Sequence, residues 1–280
     1  MGNHYGWDWA ETDMNGDDLL DLGGQVALVT GAGQNAGRAI ALELARHNAG
    51  GVAVNDFVSE RAEAVAEEIR AMGVPALAVP FDVTDLGAAK AADVEVKARL
   101  GPVTVLVNNA GMAGPGGSLR PALNFWEEDP ANWAHYLGTN LYGVYNCCFA
   151  FIPNMVEARK GRIVTIVSDS GRTGEPKLAV YASAKAGAQG FVRSIAKELG
   201  RYNVTANAVS LSSLMPDMPE DQLAEVMQSD NAKAQLSRYT IRRYGKSADV
   251  AALVTFLCSD AASWITGQTY PLNGGYAPSM

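Results

Sequence analysis

A doubly wound α/β fold, a seven-stranded parallel sheet with helices on both faces, is predicted for this 280-residue chain. Three observations carry the prediction. Short runs that are apolar throughout alternate with longer amphipathic stretches, the pattern of strands buried on both faces and the helices that cover them. A glycine-rich loop follows the first apolar run and opens the first helix. Polar turn residues close several of the later runs, at the sheet edge where such folds bind ligands.

The elements follow in order. Residues 26–29 (Val-Ala-Leu-Val) form a buried strand, 36–46 a helix, 52–54 a second strand and 59–72 a helix with one charged face. Pro75 begins a third strand over 75–79, the helix at 85–100 starts on Asp85, and 103–107 is a fourth strand. A long helix is expected over 131–158, a fifth strand over 162–167, a helix over 180–201, a sixth strand over 204–209, a helix over 247–258 and a last strand over 269–272. The alternation breaks at 211–245, where Pro216, Pro219 and several methionines interrupt it. A substrate lid with helical character between 220 and 237 is the expectation there. Residues 1–21 are polar and acidic apart from Trp7 and Trp9 and read as an arm before a single domain spanning 22–280.

Composition sets limits on function. A net charge of −8 and a pI near 4.9 argue against nucleic acid, which requires a basic footprint. No stretch reaches the length of a membrane span, and the N-terminus lacks the basic start and apolar run of a signal peptide, so a cytoplasmic location is expected. Cys147, Cys148 and Cys258 sit in apolar surroundings and read as reduced core residues, with no cluster that suggests a metal.

The loop Thr30-Gly31-Ala32-Gly33-Gln34-Asn35-Ala36-Gly37 stands where backbone amides and a helix N-terminus bind a pyrophosphate. Gly31, Gly33, Asn35, Ala36 and Gly37 are therefore candidate cofactor contacts. Asp56 ends the second strand, where a carboxylate accepts hydrogen bonds from ribose hydroxyls and repels an added phosphate. No Arg or Lys occupies Gln34, Asn35, Phe57 or Val58, so NAD is expected over NADP. Asp56 also suits the cap of the following helix. Phe57, Asp82, Val83, Asn109, Ala110 and Gly111 lie at strand ends on the same edge and complete the expected cofactor set.

Tyr181 and Lys185 stand four residues apart, one above the other on a helix. An ammonium beside a phenol favours the phenolate, so the tyrosine pKa is expected to fall and the pair to work as an acid/base. Alone, the spacing is common on solvated helix faces.

With the glycine loop, Asp82-Val83, Asn108-Asn109-Ala110-Gly111, Asn140 and Ser168, however, the chain resembles the short-chain dehydrogenase/reductase family, in its shorter single-domain branch. The resemblance spans Leu22 to Tyr276 and includes the 3-oxoacyl reductases and hydroxysteroid dehydrogenases. It implies that Tyr181 moves a proton at the substrate oxygen and that Lys185 lowers its pKa and binds the nicotinamide ribose. Ser168, in preference to Ser170, hydrogen-bonds the substrate oxygen, and Asn140 positions a water. The implied activity is NAD-dependent interconversion of a secondary alcohol and a ketone, acting on CH–OH donors, in a homotetramer without nucleic-acid or membrane partners. Candidate substrates are 3-oxoacyl thioesters, steroids or other cyclic alcohols, and small ketones. The family usually has glycine at Asn35 and Pro-Gly at Leu211-Ser212, so loop and lid geometry are expected to differ here. The chief alternative, a non-catalytic dinucleotide sensor, predicts loss of Tyr181, Lys185 or Ser168. An enoyl reductase separates its tyrosine and lysine by six residues, but position 188 is Ala and position 178 is Leu.

Overall fold

The computed structural model describes residues 18–112, 123–215, 218, 223 and 226–278. Seven parallel strands form one sheet in the order β3-β2-β1-β4-β5-β6-β7. They are β1 (Val26–Val29), β2 (Gly51–Val54), β3 (Ala76–Ala78), β4 (Val103–Asn108), β5 (Gly161–Ser168), β6 (Val204–Leu211) and β7 (Thr269–Leu272). The predicted fold class and all seven strands are found. The order reverses between β1 and β4, and a crevice opens outside the carboxyl ends of those two strands.

Alternation along the strands sorts the core into two layers. Ala27 and Val29 of β1 face one side with Val105 and Val107 of β4. That side is covered by α1 (Asn35–Arg46) and α2 (Ser59–Ala71), and beyond β4 by the helix Ser247–Cys258. Val26 and Leu28 face the other way with Leu106, beneath α3 (Leu86–Arg99), the helix Gly143–Ala158 and the helix Ala179–Leu199. Adjacent residues on opposite faces are what period-two geometry requires. Every residue of β1, β2 and β4 is buried, which explains the uninterrupted apolar runs.

The long helix expected over 131–158 is not one regular α-helix. It comprises α4 (Trp133–Leu137), a π-helical turn at Gly138–Tyr142 and α5 (Gly143–Ala158). A π turn leaves carbonyls outside the i→i−4 ladder, and the side chain at its centre, Asn140, donates to the Tyr136 carbonyl at 2.9 Å. The next elements are α6 (Ser170–Thr173), α7 (Ala179–Leu199), α8 (Asp230–Leu236) and α9 (Ser247–Cys258). The segment expected to be a lid is thus partly helical, though much of 216–225 lies outside the described residues, as do residues 1–17 of the arm. Among the described residues no helix is long and apolar enough to cross a membrane, and no group of three or more His, Cys, Asp or Glu is placed to hold a metal.

Candidate active site

β1 ends at the glycine loop. Gly31 has φ +61, and a Cβ there would stand 2.9 Å from Ala110 Cα. At Gly37 a Cβ would come within 2.1 Å of the Gly31 carbonyl oxygen, so loop and helix meet with no room for side chains. Asn35 adopts φ +47, the left-handed conformation that glycine usually supplies and that asparagine tolerates best. Thr30 Oγ1 accepts the N–H groups of Asn109 and Ala110, each at 3.0 Å. In return Asn109 Nδ2 donates to the carbonyls of Thr30 at 2.9 Å and Gly31 at 3.0 Å. The ends of β1 and β4 are strapped together by side chains.

A cleft of about 760 Å³ opens along this edge, within the usual range for small-molecule sites. Gly31, Asn35, Ala36 and Gly37 line it, with Asp56 and Phe57 after β2, Asp82 and Val83 after β3, and Asn109, Ala110 and Gly111 after β4. The buried Asp56 carboxylate accepts from the Gly33 amide and from the Val58 amide, both at 3.0 Å. Val58, not Asp56, is the N-cap of α2, so the alternative capping role is replaced by a tie to the glycine loop. Carboxylate oxygens keep lone pairs beyond these two bonds. Phe57 is 77% exposed beside it and offers a flat apolar surface. Asp82 Oδ1 accepts from the Thr84 amide at 2.8 Å, and Val83 is buried. An open helix N-terminus, a glycine loop closed to side chains and a buried carboxylate at the far end fit a nicotinamide dinucleotide.

The predicted catalytic residues converge beyond Gly111. Lys185 is 4% exposed, its Nζ donates to the Ile166 carbonyl at 3.0 Å, and it lies 5.9 Å from the Tyr181 ring centroid. A Cβ on Gly111 would stand 3.2 Å from Lys185 Nζ and 3.1 Å from Asn140 Oδ1, so the end of β4 touches both side chains. Asn140 is fully buried. Its Nδ2 donates to the Met112 carbonyl at 2.8 Å and its Oδ1 accepts the Met112 amide at 3.2 Å. Ser168, the last residue of β5, lies near enough to the Tyr181 phenol to act on its pKa. Ser170 does not compete with Ser168: its hydroxyl donates to Ser168 Oγ at 2.9 Å.

Burial governs the electrostatics. It pushes the Lys185 ammonium down from its ordinary value to about 8. It pushes the Tyr181 phenol up, and Ser168 offsets only part of that rise. The expectation that Lys185 holds Tyr181 low is corrected for the cofactor-free protein: the lysine is itself desolvated and meets the tyrosine ring at a distance.

Sequence reasoning missed several supports. Asn55 donates to the Val79 and Phe81 carbonyls at 3.1 and 3.0 Å and binds the strand ends beneath the loop. Arg61, one turn into α2, lines the Asp56 end of the cleft. Asp169, beside Ser168, is 2% exposed and takes three side-chain hydrogen bonds. Asn55 and Asp169 belong to no local pattern, because most of their partners are distant in sequence. Of the lid residues, Leu214 packs on the body of the domain and bridges to Gly245. Ser212, where the family usually has glycine, is hydrogen-bonded to the Tyr239 hydroxyl. Three cations whose charge would suit a phosphate-bearing carrier are engaged within the chain, Arg172 by Asp169, Arg238 by Tyr276 and Arg243 by Asp249.

The fold and cleft define the class, a doubly wound protein with a dinucleotide-type cleft. A family profile described as Enoyl-(Acyl carrier protein) reductase matches residues 31–277. The chain is 40% identical over 253 residues to the 3-oxoacyl-[acyl-carrier-protein] reductase FabG of Staphylococcus aureus, covering 89% of this chain and 96% of that protein. It is 37% identical to the FabG of Pseudomonas aeruginosa, covering 91% and 98%. A gluconate 5-dehydrogenase from Burkholderia cenocepacia, solved in complex with NADP and tartrate, superposes with a TM-score of 0.83 at 28% identity, over 94% of this chain and 99% of that one. The protein belongs to the short-chain dehydrogenase/reductase family.

The burial of Lys185 has a measurable cost. Its folded pKa lies below its ordinary value, so between about 8 and 10.5 the unfolded chain binds more protons and stability rises with pH. Lys185→Met is expected to stabilise the cofactor-free protein at neutral pH by about 1–3 kcal/mol, an advantage that shrinks through that window. Urea melts at several pH values check this.

Proposed function

We propose that the protein interconverts a secondary alcohol and a ketone with NAD(H), with Tyr181 moving the proton at the substrate oxygen. The observation that supports this best is the convergence of Tyr181, Ser168 and Lys185, with Lys185 against Gly111 of the cleft wall. When bound, the dinucleotide supplies or accepts the hydride. In reduction the Tyr181 phenol donates its proton to the carbonyl oxygen, and in oxidation it takes that proton back. The Ser168 hydroxyl donates a hydrogen bond to the same oxygen and stabilises its developing charge. With the dinucleotide bound, the Lys185 cation behind the phenol would favour the phenolate that oxidation needs. Asn140 clamps Met112 and keeps the end of β4 against Lys185.

For the substrate, a 3-oxoacyl thioester is the reading that the 40% identical relatives support. Acetoacetyl-CoA should be reduced at the expense of NADH, followed by loss of nicotinamide absorbance. Tyr181→Phe should lower that turnover by about 10²–10⁴-fold while NADH affinity changes little. Retained turnover in the variant sinks the tyrosine's role; silence of the wild type toward acetoacetyl-CoA, with activity on cyclic alcohols or polyols, sinks the thioester.

NAD is proposed over NADP because the Asp56 carboxylate is buried and tied to Gly33, where a ribose phosphate would meet a fixed negative charge. Arg61 lines the same end and acts against this preference. NADH should bind at least about tenfold more tightly than NADPH by fluorescence titration, and Asp56→Ala should narrow the gap. Equal affinities in the wild type remove Asp56 as the discriminator.

A homotetramer built on the long helices is also proposed. Tyr142 is 54% and Phe149 62% exposed on the π turn and α5, and the Tyr145 ring lies tilted against Phe191 of α7 with centroids 4.6 Å apart, so the two helices offer a joined aromatic face. Sedimentation at micromolar protein should give about four times the chain mass; a monomer refutes it.

A further inference from the structure

We infer that Ser170 is a positioning residue for the catalytic pair, because it fixes the direction in which the Ser168 hydroxyl donates. The inference rests on the reaction proposed above. A serine hydroxyl carries one hydrogen and two acceptor positions. Ser168 Oγ accepts the Ser170 amide N–H at 3.3 Å and the Ser170 hydroxyl at 2.9 Å. The amide can only donate, so its role in this arrangement is settled by chemistry. With both acceptor positions occupied from one side, the Ser168 hydrogen is left to point toward Tyr181 and the substrate oxygen.

Ser170 is held in place by Asp169. The Asp169 carboxylate accepts from Arg172 Nη1 and Ser210 Oγ, each at 2.7 Å, and from Asn273 Nδ2 at 2.5 Å. Its amide donates to the Leu211 carbonyl at 2.9 Å, and its own carbonyl accepts the amides of Arg172 and Thr173, both at 2.9 Å. Arg172 and Asn273 each donate further to the Ala277 carbonyl, at 3.2 and 2.9 Å. The single turn of α6 is therefore fastened to β6 and to the segment after β7. That fastening turns the buried Ser170 side chain back onto Ser168. A serine acting only as a helix cap would spend its hydroxyl on the backbone of α6; this one spends it on the catalytic hydroxyl. The result is a relay of hydroxyls, Ser170 to Ser168 to Tyr181. In such a chain each bond polarises the next, so the first donor strengthens the one that faces the developing charge.

The test reads Tyr181 directly. Tyrosinate difference absorbance is followed against pH in the NAD-bound protein, with Tyr181→Phe as the blank. The titratable and charged groups on elements packed against α7 are His135, Tyr136, Tyr142, Arg162, Arg172, Arg201 and Tyr202, with Asp169 at the cap of α6 and Lys185, Arg193, Lys197 and Glu198 on the helix itself. All are unchanged in the variants used. Ser170→Ala, and the nearly isosteric but weakly donating Ser170→Cys, should raise the Tyr181 midpoint by a few tenths of a pH unit. They should also lower kcat for acetoacetyl-CoA on the order of fivefold, with the KM for NADH unmoved. Ser170→Thr, which keeps the hydroxyl, should restore both. A midpoint that stays put in the folded Ala and Cys variants overturns the inference, whatever happens to their melting temperatures. The titration needs no substrate, so it tests the relay even where acetoacetyl-CoA is not turned over. Failure of the reaction itself shows separately, as turnover surviving in Tyr181→Phe.

Discussion

The join between β1 and β4 is the constraint on which the rest of the site depends. Two strands that are not consecutive in sequence lie side by side there, and Thr30 and Asn109 lock their ends with four hydrogen bonds. Because both side chains are spent on backbone, the loop after β1 and the turn after β4 keep a fixed separation, and the cleft lies outside them. Gly111 follows directly and touches Lys185 and Asn140. The cleft and the residues proposed to handle the proton are thus set against one another by a short run of backbone whose position is over-determined.

The same edge concentrates polar groups that the fold buries at a cost. Desolvation pushes the Lys185 ammonium down to about 8, and Asn140, Asn55 and Asp169 each need several partners to be tolerated. The partners come from different strands and turns, so the network acts as a set of cross-ties along the carboxyl edge. Elsewhere the core is mostly aliphatic, and three cysteines lie buried in it with thiols pushed upward by desolvation, Cys148 and Cys258 to about 12. Thiols held that far from ionisation are packing residues.

Much of this was legible in the sequence, for identifiable reasons. Strands buried on both faces write themselves as unbroken apolar runs, and the glycine loop announces its need for close approach. At Asn35 altered loop geometry was expected, and the residue takes a left-handed φ of +47, which asparagine tolerates better than other non-glycine residues. The π turn around Asn140 was not readable, because its apolar spacing is that of an ordinary helix over so few residues. The direction of the Tyr181 shift was misread because spacing reports that two groups are near and says nothing of how dry their surroundings are. Asp169 escaped notice since its partners, Ser210 and Asn273, lie 41 and 104 residues away. The tie between Thr30 and Asn109 escaped notice for the same reason, since the two lie 79 residues apart.

The strand order also bears on how the chain assembles. Every other neighbouring pair in the sheet joins strands consecutive in sequence, but β1 meets β4 with Val26 beside Val103. That pairing closes the longest loop in the sheet and carries its largest closure entropy. The first three strands and the last four are therefore locally connected units that meet along one seam. The dinucleotide cleft spans that seam, with walls taken from both units. A ligand that occupies it opposes their separation and, by mass action, stabilises the contact that is hardest for the chain to make on its own.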